Sequence, residues 1–334
     1  MATIKDVAKR AGVSPTTVSR VLAGKLVARA ETVERVRSAA TALRYHPNVL
    51  AQGLITRRTG TIAVVVTDIC DPAYPLAIRG VVDVATANGY SLFLVSANTH
   101  ATDPNYLRFV SHYRVDGAIL YSSSVTDEEI KQLQTSGVRT VLINRQMEGI
   151  ASISVDGEQS GYLATQHLIA LGHRRIAYIS GSSTTRQTLP RRNGYERALR
   201  EAKIKIDPAL IVAGDSEPEG GAAAMERLLA LADPPTAVFA YNDMTAIGAL
   251  ETIRARGLRV PDDISVVGYD GIEVTRFLTP PLTTIEQPRR LLGTLAMKIL
   301  LHLLRDEPIP PDELATLIPQ LVLRKSTAPP RLSS

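Results

Sequence analysis

The chain has 334 residues, a length that predicts two domains rather than one. Its 45% hydrophobic and 21% charged residues are typical of a globular protein, and its single cysteine excludes an intrachain disulfide, as in a reducing compartment. No apolar run reaches the roughly 20 residues that span a bilayer, and the N-terminus has no apolar signal region. We therefore expect a cytoplasmic protein, and membrane and secreted proteins are excluded.

The net charge of +5 is unevenly distributed along the chain. Residues 1–58 contain eleven Lys and Arg against three acidic residues, a net charge of +8, so the other 276 residues carry −3. A basic segment joined to a mildly acidic body suggests a module that binds a polyanion. A solvated basic face would have the same charge, so charge alone leaves both interpretations open.

The first two predicted elements form a helix-turn-helix. Thr3 caps a helix whose third position is Asp6, an approximate capping box, and apolar residues then recur at helical spacing. Gly12 interrupts this helix, and Ser14, followed by a proline, begins a second helix that ends near Gly24. Two short helices joined by a glycine-containing turn make a helix-turn-helix.

The exposed side of the second helix carries polar residues suited to reading DNA. The N-terminal residues of such a helix meet base edges in the major groove, and Arg20 offers two parallel donors to a guanine. An ordinary helical hairpin with a polar surface is the alternative, but caps, turn, buried face and charge together favour DNA binding. The predicted DNA-contact residues here are Thr3, Ser14, Thr16, Thr17, Ser19 and Arg20.

A third helix is predicted from about Glu31 to Leu43, and a short apolar segment follows it. Asn48 caps a hinge helix over about residues 48–55, too short to persist alone in water. The arginines that flank this helix suggest order acquired on binding, and a plain linker is the alternative. We place a DNA-binding domain at residues 1–58 and a second domain at residues 59–334.

Strand-like runs alternate with amphipathic helices in this second domain. The helices are predicted at 76–88, 105–113, 128–136, 158–171, 194–202, 220–231 and 244–256. The strands are short and apolar, like buried parallel strands, and are predicted at 62–66, 91–95, 118–121, 141–144, 153–155, 176–180, 237–240 and 265–268. This alternation predicts α/β lobes with doubly wound parallel sheets, and the length suffices for two.

Polar residues follow several of the predicted strands. Open parallel sheets bind ligands at the carboxyl ends of their strands. Carboxylate, amide and guanidinium groups there give directional hydrogen bonds to a hydroxyl-rich ligand, although simple capping is the alternative for each residue alone. The candidate effector-binding residues are Tyr74, Asn144, Arg145, Asn242 and Asp270, together with Arg191 ahead of the helix predicted from residue 194.

The N-terminal residues resemble a known family. Residues 3–24, TIKDVAKRAGVSPTTVSRVLAG, resemble the signature of the LacI/GalR family of bacterial transcription regulators. Residues 44–54 are similar to the hinge helix of that family, which implies that two hinge helices of a dimer enter the minor groove. The resemblance makes Asn48 and Leu54 further DNA-contact residues, with Leu54 wedged into a base step. Gln52, where many relatives carry Arg, departs from the family, as does Ala28-Arg29, which weakens the cap of the third helix.

The body resembles the same family. Arg191-Arg192-Asn193-Gly194-Tyr195 matches its Arg-x-x-Gly-Tyr, residues 242–246 its Asn-Asp-x-x-Ala, and residues 267–270 its Val-Gly-(Tyr/Phe)-Asp. Residues 282–288 correspond to its closing Leu-Thr-Thr-(apolar)-x-Gln-Pro. By this resemblance Arg191, Asn242 and Asp270 contact the ligand. Asn144, where sugar-responsive members carry Asp, and Ala73, which replaces an aromatic residue, leave the identity of the effector open.

The resemblance also implies that residues 59–334 are an effector-binding and dimerisation domain. It would be a periplasmic-binding-protein-like core of two lobes, with a homodimer formed through the N-lobe. The chain would cross between the lobes near Asp156, Gln287 and Pro319. The N-lobe would then span about residues 60–156 and 288–318, and the C-lobe about residues 157–287 and 319–328.

We predict a ligand-responsive transcription repressor and not an enzyme. Hydrolase, phosphate-binding and metal motifs are missing from the sequence, so no catalytic residue, metal or cofactor is predicted. A solute-binding protein would fit the body but would lack the basic head. The expected partners are pseudo-palindromic operator DNA, a second copy of the chain and a small-molecule effector. A sugar or sugar derivative is favoured as effector, with a purine-type corepressor as the alternative.

Overall fold

The structure, a computed structural model, describes residues 2–22, 29–45, 59–97, 110, 115–182 and 188–331. Its contacts divide the chain into two compact units, Met1–Gly60 and Thr61–Ser334. The predicted domain boundary after residue 58 lies two residues before this division. The predicted hinge helix at 48–55 lies outside the described residues, as does most of the helix predicted at 105–113.

The first unit is a helical head with its own small core. Its helices are α1 (Ile4–Ala11), α2 (Pro15–Leu22) and α3 (Ala30–Ala42). They pack around apolar side chains that are fully buried, among them Val7 and Val18. Gly12 follows α1 in the left-handed conformation (φ 66°), which a glycine adopts without strain and which turns the chain into α2. The helix-turn-helix prediction is therefore confirmed. Arg29 makes no side-chain cap at the start of α3, as the departure from the family pattern predicts.

The second unit alternates strands and helices. In chain order the elements are β1 (Thr61–Val66), α4 (Pro75–Ala87), β2 (Ser91–Ser96), β3 (Gly117–Tyr121), α5 (Asp127–Thr135), β4 (Arg139–Ile143), β5 (Ala151–Ile153), α6 (Gly157–Ala170), β6 (Ile176–Ser180), α7 (Thr188–Glu201), β7 (Ile211–Ala213), α8 (Pro218–Leu229), β8 (Ala237–Ala240), α9 (Asp243–Ala255), β9 (Ser265–Asp270), β10 (Thr283–Glu286), α10 (Arg289–Arg305) and β11 (Gln320–Val322). No helix of the described chain has the length and apolar character needed to cross a membrane.

The strands of this unit form two sheets. The first has the order β2-β1-β3-β4-β5 and is parallel throughout. The second has the order β11-β10-β9-β8-β6-β7, parallel except for the antiparallel pair of β10 and β11. Alternate residues of β1 join two different cores, so this sheet is covered on both faces, as parallel sheets require. The prediction of two doubly wound parallel sheets is confirmed.

Each sheet and its helices make one lobe. The first lobe contains the first sheet with α4, α5 and α10, and the second lobe contains the second sheet with α6 to α9. The chain leaves the first lobe after β5, returns from β10 into α10 and passes back into β11. These three passages lie near Asp156, Gln287 and Pro319. Helix α10 packs along α4, so a helix from late in the chain completes the lobe that contains β1.

Several elements differ from the predictions. Strands β7, β10 and β11 were not predicted, because they are short and β10 carries polar residues in its interior. Helix α7 begins at Thr188, six residues before the predicted start, because Pro190 lies in the first turn, where a proline is tolerated. Strand β4 ends one residue early because Asn144 has a left-handed backbone (φ 55°) that leaves the strand.

Candidate functional site

Two predicted DNA-contact residues of the head are also helix caps. The Thr3 hydroxyl accepts the backbone N–H of Asp6 at 3.4 Å, and the Asp6 carboxylate accepts the Thr3 backbone N–H at 2.8 Å. Hydrogen bonds from Thr3 lower the pKa of Asp6. The Ser14 hydroxyl accepts the backbone N–H of Thr17 at 3.1 Å, so it caps α2 in the same way. Thr3 and Ser14 therefore set where the two helices of the motif begin.

The remaining predicted residues of α2 differ in exposure. Thr16 and Arg20 are exposed and lie four residues apart, on one face of the helix. Thr17 is half-buried, and its hydroxyl is hydrogen-bonded to that of Ser14 at 2.9 Å. Ser19 is also half-buried. Asn48 and Leu54 lie outside the described residues.

Asp270, at the carboxyl end of β9, is a buried carboxylate. Its backbone has a φ of 116°, so the chain leaves strand geometry at this residue. The Asp270 carboxylate accepts a hydrogen bond from the side-chain amide of Gln287 at 2.6 Å. Burial raises the pKa of Asp270 to about 6, against the opposing charges of Arg191 and Arg289. The end of β9 therefore places a carboxyl that titrates near neutral pH between two arginines.

Arg191 lies in the first turns of α7, buried between two tyrosine rings. Its guanidinium carbon is 3.5 Å from the centroid of the Tyr269 ring and 4.2 Å from that of Tyr241. Nη1 donates to the Tyr241 carbonyl at 2.6 Å, whereas Nε has no hydrogen-bond partner among the described residues. Aromatic faces attract a cation, so the rings stabilise a charge that burial would otherwise destabilise.

The first lobe contributes tyrosines and a carboxylate from the loop after β1. The Tyr74 ring meets the Tyr121 ring edge-on, with centroids 4.9 Å apart. Burial raises the pKa of Tyr74 to about 12, and the charges of Asp71 and Asp270 act in the same direction. Burial also raises the pKa of Asp71, which accepts the backbone N–H of Ala73 at 2.8 Å. The Arg289 guanidinium is within hydrogen-bonding distance of the carbonyls of Ala73 and Gly271, so the loops after β1 and β9 lie close together at this point.

Three predicted effector-site residues have structural bonds within their own lobes. The Asn144 side chain accepts the Val155 backbone N–H at 2.9 Å. The Arg145 guanidinium donates to the Val125 carbonyl and pairs with Asp127 at the start of α5. Asn242 caps α9 through the Thr245 backbone N–H at 2.8 Å and donates to the Ser216 carbonyl at 2.9 Å. For these residues the capping alternative describes the contacts. By contrast, Arg191 lies against the ring of Tyr269, the residue before Asp270, and Arg289 reaches the carbonyls of Gly271, after Asp270, and Ala73, before Tyr74.

Sequence reasoning missed several buried residues around this cluster. Asp243 follows Asn242 at the end of β8, where the sequence predicts a polar pair, but the predicted site includes only Asn242. The Asp243 carboxylate accepts the Thr284 hydroxyl at 2.6 Å and the Ile272 backbone N–H at 2.8 Å. Burial raises the pKa of Asp243 to about 7, and the charge of Asp270 adds to this. Arg289 had no signal, because its neighbour Arg290 is an equally basic residue of the same helix and carbonyls of loops distant in sequence bond the guanidinium of Arg289. Among the described residues no group of three or more acidic, His or Cys side chains could hold a metal ion.

A helix-turn-helix head attached to a core of two facing parallel sheets defines a class of DNA-binding regulators. The head and the core each match a described family. Residues 3–48 match the family described as bacterial regulatory proteins, lacI family, and residues 165–327 match the periplasmic binding protein-like domain.

Similar proteins extend these matches over almost the entire chain. An HTH-type transcriptional repressor PurR of Haemophilus influenzae is 39% identical over 98% of both chains, and a repressor of the same name from Vibrio atlanticus is 37% identical over 92% of this chain and 93% of its own. The lac repressor dimer bound to operator and the anti-inducer ONPF is 31% identical with a TM-score of 0.87, over 98% of this chain and 99% of that one. The complex of the transcriptional regulator CelR with cellobiose is 32% identical with a TM-score of 0.73, over 98% of this chain and 100% of that one.

The chain therefore belongs to the lacI family of bacterial regulatory proteins and is a DNA-binding repressor. The predicted family resemblance is confirmed. Since the curated relatives are repressors along the full length of the match, the protein is a regulator and not an enzyme.

Proposed function

We propose that the protein is a homodimeric repressor that acts in the cytoplasm on a pseudo-palindromic operator, and that a small molecule bound between the two sheets controls its affinity for DNA. The observation that carries the proposal is the cluster of Tyr74, Arg191 and Asp270, which combines aromatic faces with buried charges at the carboxyl ends of both sheets. The similarity to the lac repressor dimer bound to operator supports the dimer and the DNA partner.

The head contacts DNA, in this proposal, through the exposed face of α2. Thr16 and Arg20 face the bases. The other predicted residues contact the DNA backbone or position α2 against it; they are Thr3, Ser14, Thr17 and Ser19. Asn48 and Leu54 belong to the proposed hinge. Arg20→Ala should relax base preference and cost about 1–3 kcal/mol at a single base pair. An unchanged base preference in a binding-site selection would remove Arg20 from direct readout.

The proposed effector is a purine-type compound, the alternative kept beside a sugar in the sequence analysis. Relatives named PurR, at 39% identity over 98% of the chain, favour it. Tyr74, a half-buried ring that meets Tyr121 edge-on, suits it as well, because a planar base stacks on an aromatic face while Arg191 and Asp270 can bond its edge.

A sugar remains the second candidate. Carboxylate and guanidinium side chains bond hydroxyl groups equally well, and the similarity to the CelR–cellobiose complex favours this class. Asn144 supports neither class directly, since its side chain is bonded to the Val155 backbone.

A thermal-shift screen over purine bases, nucleosides, sugars and sugar acids tests the effector. A true effector at about 100 times its dissociation constant should add about 2.7 kcal/mol of stability. Asp270→Asn should abolish this gain while the protein stays folded, and Glu251→Gln, on an exposed position of α9, should keep it. A hit that stabilises the Asp270→Asn variant as well would place the effector elsewhere.

Repeating operator titrations with the hit decides the sign of the response. A corepressor should tighten operator binding and an inducer should weaken it, with a coupling free energy typically of 1–3 kcal/mol. A hit that leaves operator affinity unchanged would contradict effector control. Sedimentation of the protein with and without operator DNA tests the dimer.

A further inference from the structure

Arg289 is a buried arginine that contacts backbone in both lobes. It is the first residue of α10, which packs on α4 in the first lobe. Nη2 of its guanidinium donates to the carbonyl of Gly271, directly after β9 in the second lobe, at 2.8 Å. Nη1 lies within hydrogen-bonding distance, 3.5 Å, of the carbonyl of Ala73, after β1 in the first lobe. One side chain therefore joins the two loops that face each other across the site.

The charge of Arg289 acts on carboxyl groups of both lobes. Burial raises the pKa of Asp71 in the first lobe and of Asp270 in the second, and the positive charge of Arg289 opposes both shifts. Only 2% of Arg289 is exposed, and a buried guanidinium is costly unless hydrogen bonds and opposite charges compensate it. Those compensating groups come from two different lobes, so the cost of the buried charge depends on their proximity.

The neighbouring Arg290 contrasts with Arg289. Two-thirds of its side chain is exposed, and it pairs with Asp83 of α4 at 2.8 Å. This contact joins two helices of the first lobe. Of two consecutive arginines in α10, Arg290 therefore makes an exposed ion pair within one lobe, whereas Arg289 makes buried hydrogen bonds to backbone of both lobes.

We propose that Arg289 is a latch that holds the two lobes in the arrangement described here. A guanidinium is a planar fork whose donors can address two acceptors at once, unlike the single ammonium group of a lysine. Separating the lobes would break the bond to Gly271 or to Ala73 and would move the charge away from Asp71 or Asp270. This latch goes beyond the proposed effector response. It sets the equilibrium between lobe arrangements, and a ligand can only shift that equilibrium.

Spin labels on the full-length protein, free of effector and DNA, test the latch. With Cys70→Ser as background, labels at Lys131→Cys on α5 and Arg254→Cys on α9 occupy exposed positions of the two lobes. Double electron–electron resonance, with labelled chains diluted in unlabelled protein, then gives the distribution of distances between the lobes. Arg289→Met should shift this distribution to longer distances and broaden it. Arg290→Met should leave the distribution of the parent protein unchanged.

Arg289→Lys distinguishes two roles for Arg289, control of the lobe arrangement and stabilisation of the core alone. It keeps the charge but loses the fork, so the distribution should shift in the same direction by a smaller amount. A folded Arg289→Met variant with a lower melting temperature and the distance distribution of the parent would overturn the proposal. If the Met variant does not fold, the same outcome in the Lys variant overturns it. Neither result depends on effector or operator, so failure of the latch is distinct from failure of the proposed function.

Discussion

The guanidinium carbon of Arg191 lies 3.5 Å above the ring of Tyr269, the residue directly before Asp270. Consecutive residues of a strand point to opposite faces, so Tyr269 and Asp270 would diverge if β9 continued regularly. The left-handed backbone of Asp270 (φ 116°) interrupts the strand at this point. As a result one arginine is covered by the ring of the first residue and acts electrostatically on the carboxyl of the second.

Arg191→Met should destabilise the second lobe. The substitution keeps an apolar stem but removes the hydrogen bond to the Tyr241 carbonyl and the attraction to two rings. Because the lost hydrogen bond and ring contacts are all buried, we expect a loss of about 2–4 kcal/mol in the free energy of unfolding. Urea denaturation followed by circular dichroism measures it. Arg192→Met, on the exposed side of the same helix, removes only an ion pair with Glu196 and should cost less than about 1 kcal/mol; equal losses would contradict the role given to Arg191.

The buried carboxyls predict a fall in stability as the pH rises. The folded protein raises the pKa of Asp270 to about 6 and that of Asp243 to about 7, above the ordinary value of 3.8. The folded state therefore holds protons that the unfolded chain releases, so the contribution of these groups is fully present below about pH 4. It is lost as the pH rises through 6 and 7. Each pKa unit between the two states corresponds to about 1.4 kcal/mol.

Asp243→Asn isolates this effect. An asparagine can accept the Ile272 backbone N–H and donate to the Thr284 hydroxyl, so the two hydrogen bonds of Asp243 have replacements. Relative to the parent protein, the variant should gain stability between pH 4 and pH 7. Urea denaturation at several pH values checks this, with Glu251→Gln as an exposed control. Parallel pH profiles for parent and Asp243→Asn would show that Asp243 ionises as readily in the folded as in the unfolded chain.

Local signals account for most of what the sequence predicted. The caps at Thr3 and Ser14 act within three residues, and strands such as β6 and β8 are continuous apolar runs because both of their faces are buried. Strand β10 had no such signal. Its Thr284 is buried because a carboxylate from another strand end accepts its hydroxyl, a contact between residues 41 positions apart.

The residues of the candidate site also fall into those that a local sequence signal predicts and those that depend on contacts distant in sequence. Arg191 and Asp270 were found because they lie at strand or helix ends, where a topological rule locates ligands. Arg289 was not found, since its burial depends on carbonyls 18 and 216 residues away in sequence. Asn144, Arg145 and Asn242 satisfied the same rule as Arg191, and only the three-dimensional structure shows that each makes a hydrogen bond within its own lobe.

Thr16 and Thr17 of α2 should respond differently to substitution, although they are adjacent and chemically identical. Thr16→Val removes an exposed hydroxyl and should weaken operator binding without changing the stability of the head. Thr17→Val removes a hydroxyl bonded to the Ser14 cap, so it should destabilise the start of α2 by roughly 0.5–1 kcal/mol. Hydrogen exchange of the α2 amides and operator titration measure the two effects. Faster exchange of the α2 amides in Thr16→Val than in Thr17→Val would contradict the role of Thr17 in capping α2.

Gly161→Ala on α6 should shift the position of Arg191 on the neighbouring helix α7. A Cβ on Gly161 of α6 would lie 2.0 Å from the Arg191 carbonyl oxygen and 3.1 Å from the Tyr195 backbone nitrogen. The first distance is a clash with backbone, so α6 and α7 would have to move apart. Overpacking of this kind costs about 1–3 kcal/mol, and more where backbone must shift. Because α7 carries Arg191, the near-ultraviolet circular dichroism of the tyrosines should change along with the free energy of unfolding. Gly257→Ala, in open space with a left-handed φ of 74°, is the matched control: it should cost about 1–2 kcal/mol of backbone strain and leave the tyrosine signal unchanged. An altered tyrosine signal in the control, or an unaltered one in Gly161→Ala, would separate the packing of α6 from the position of Arg191.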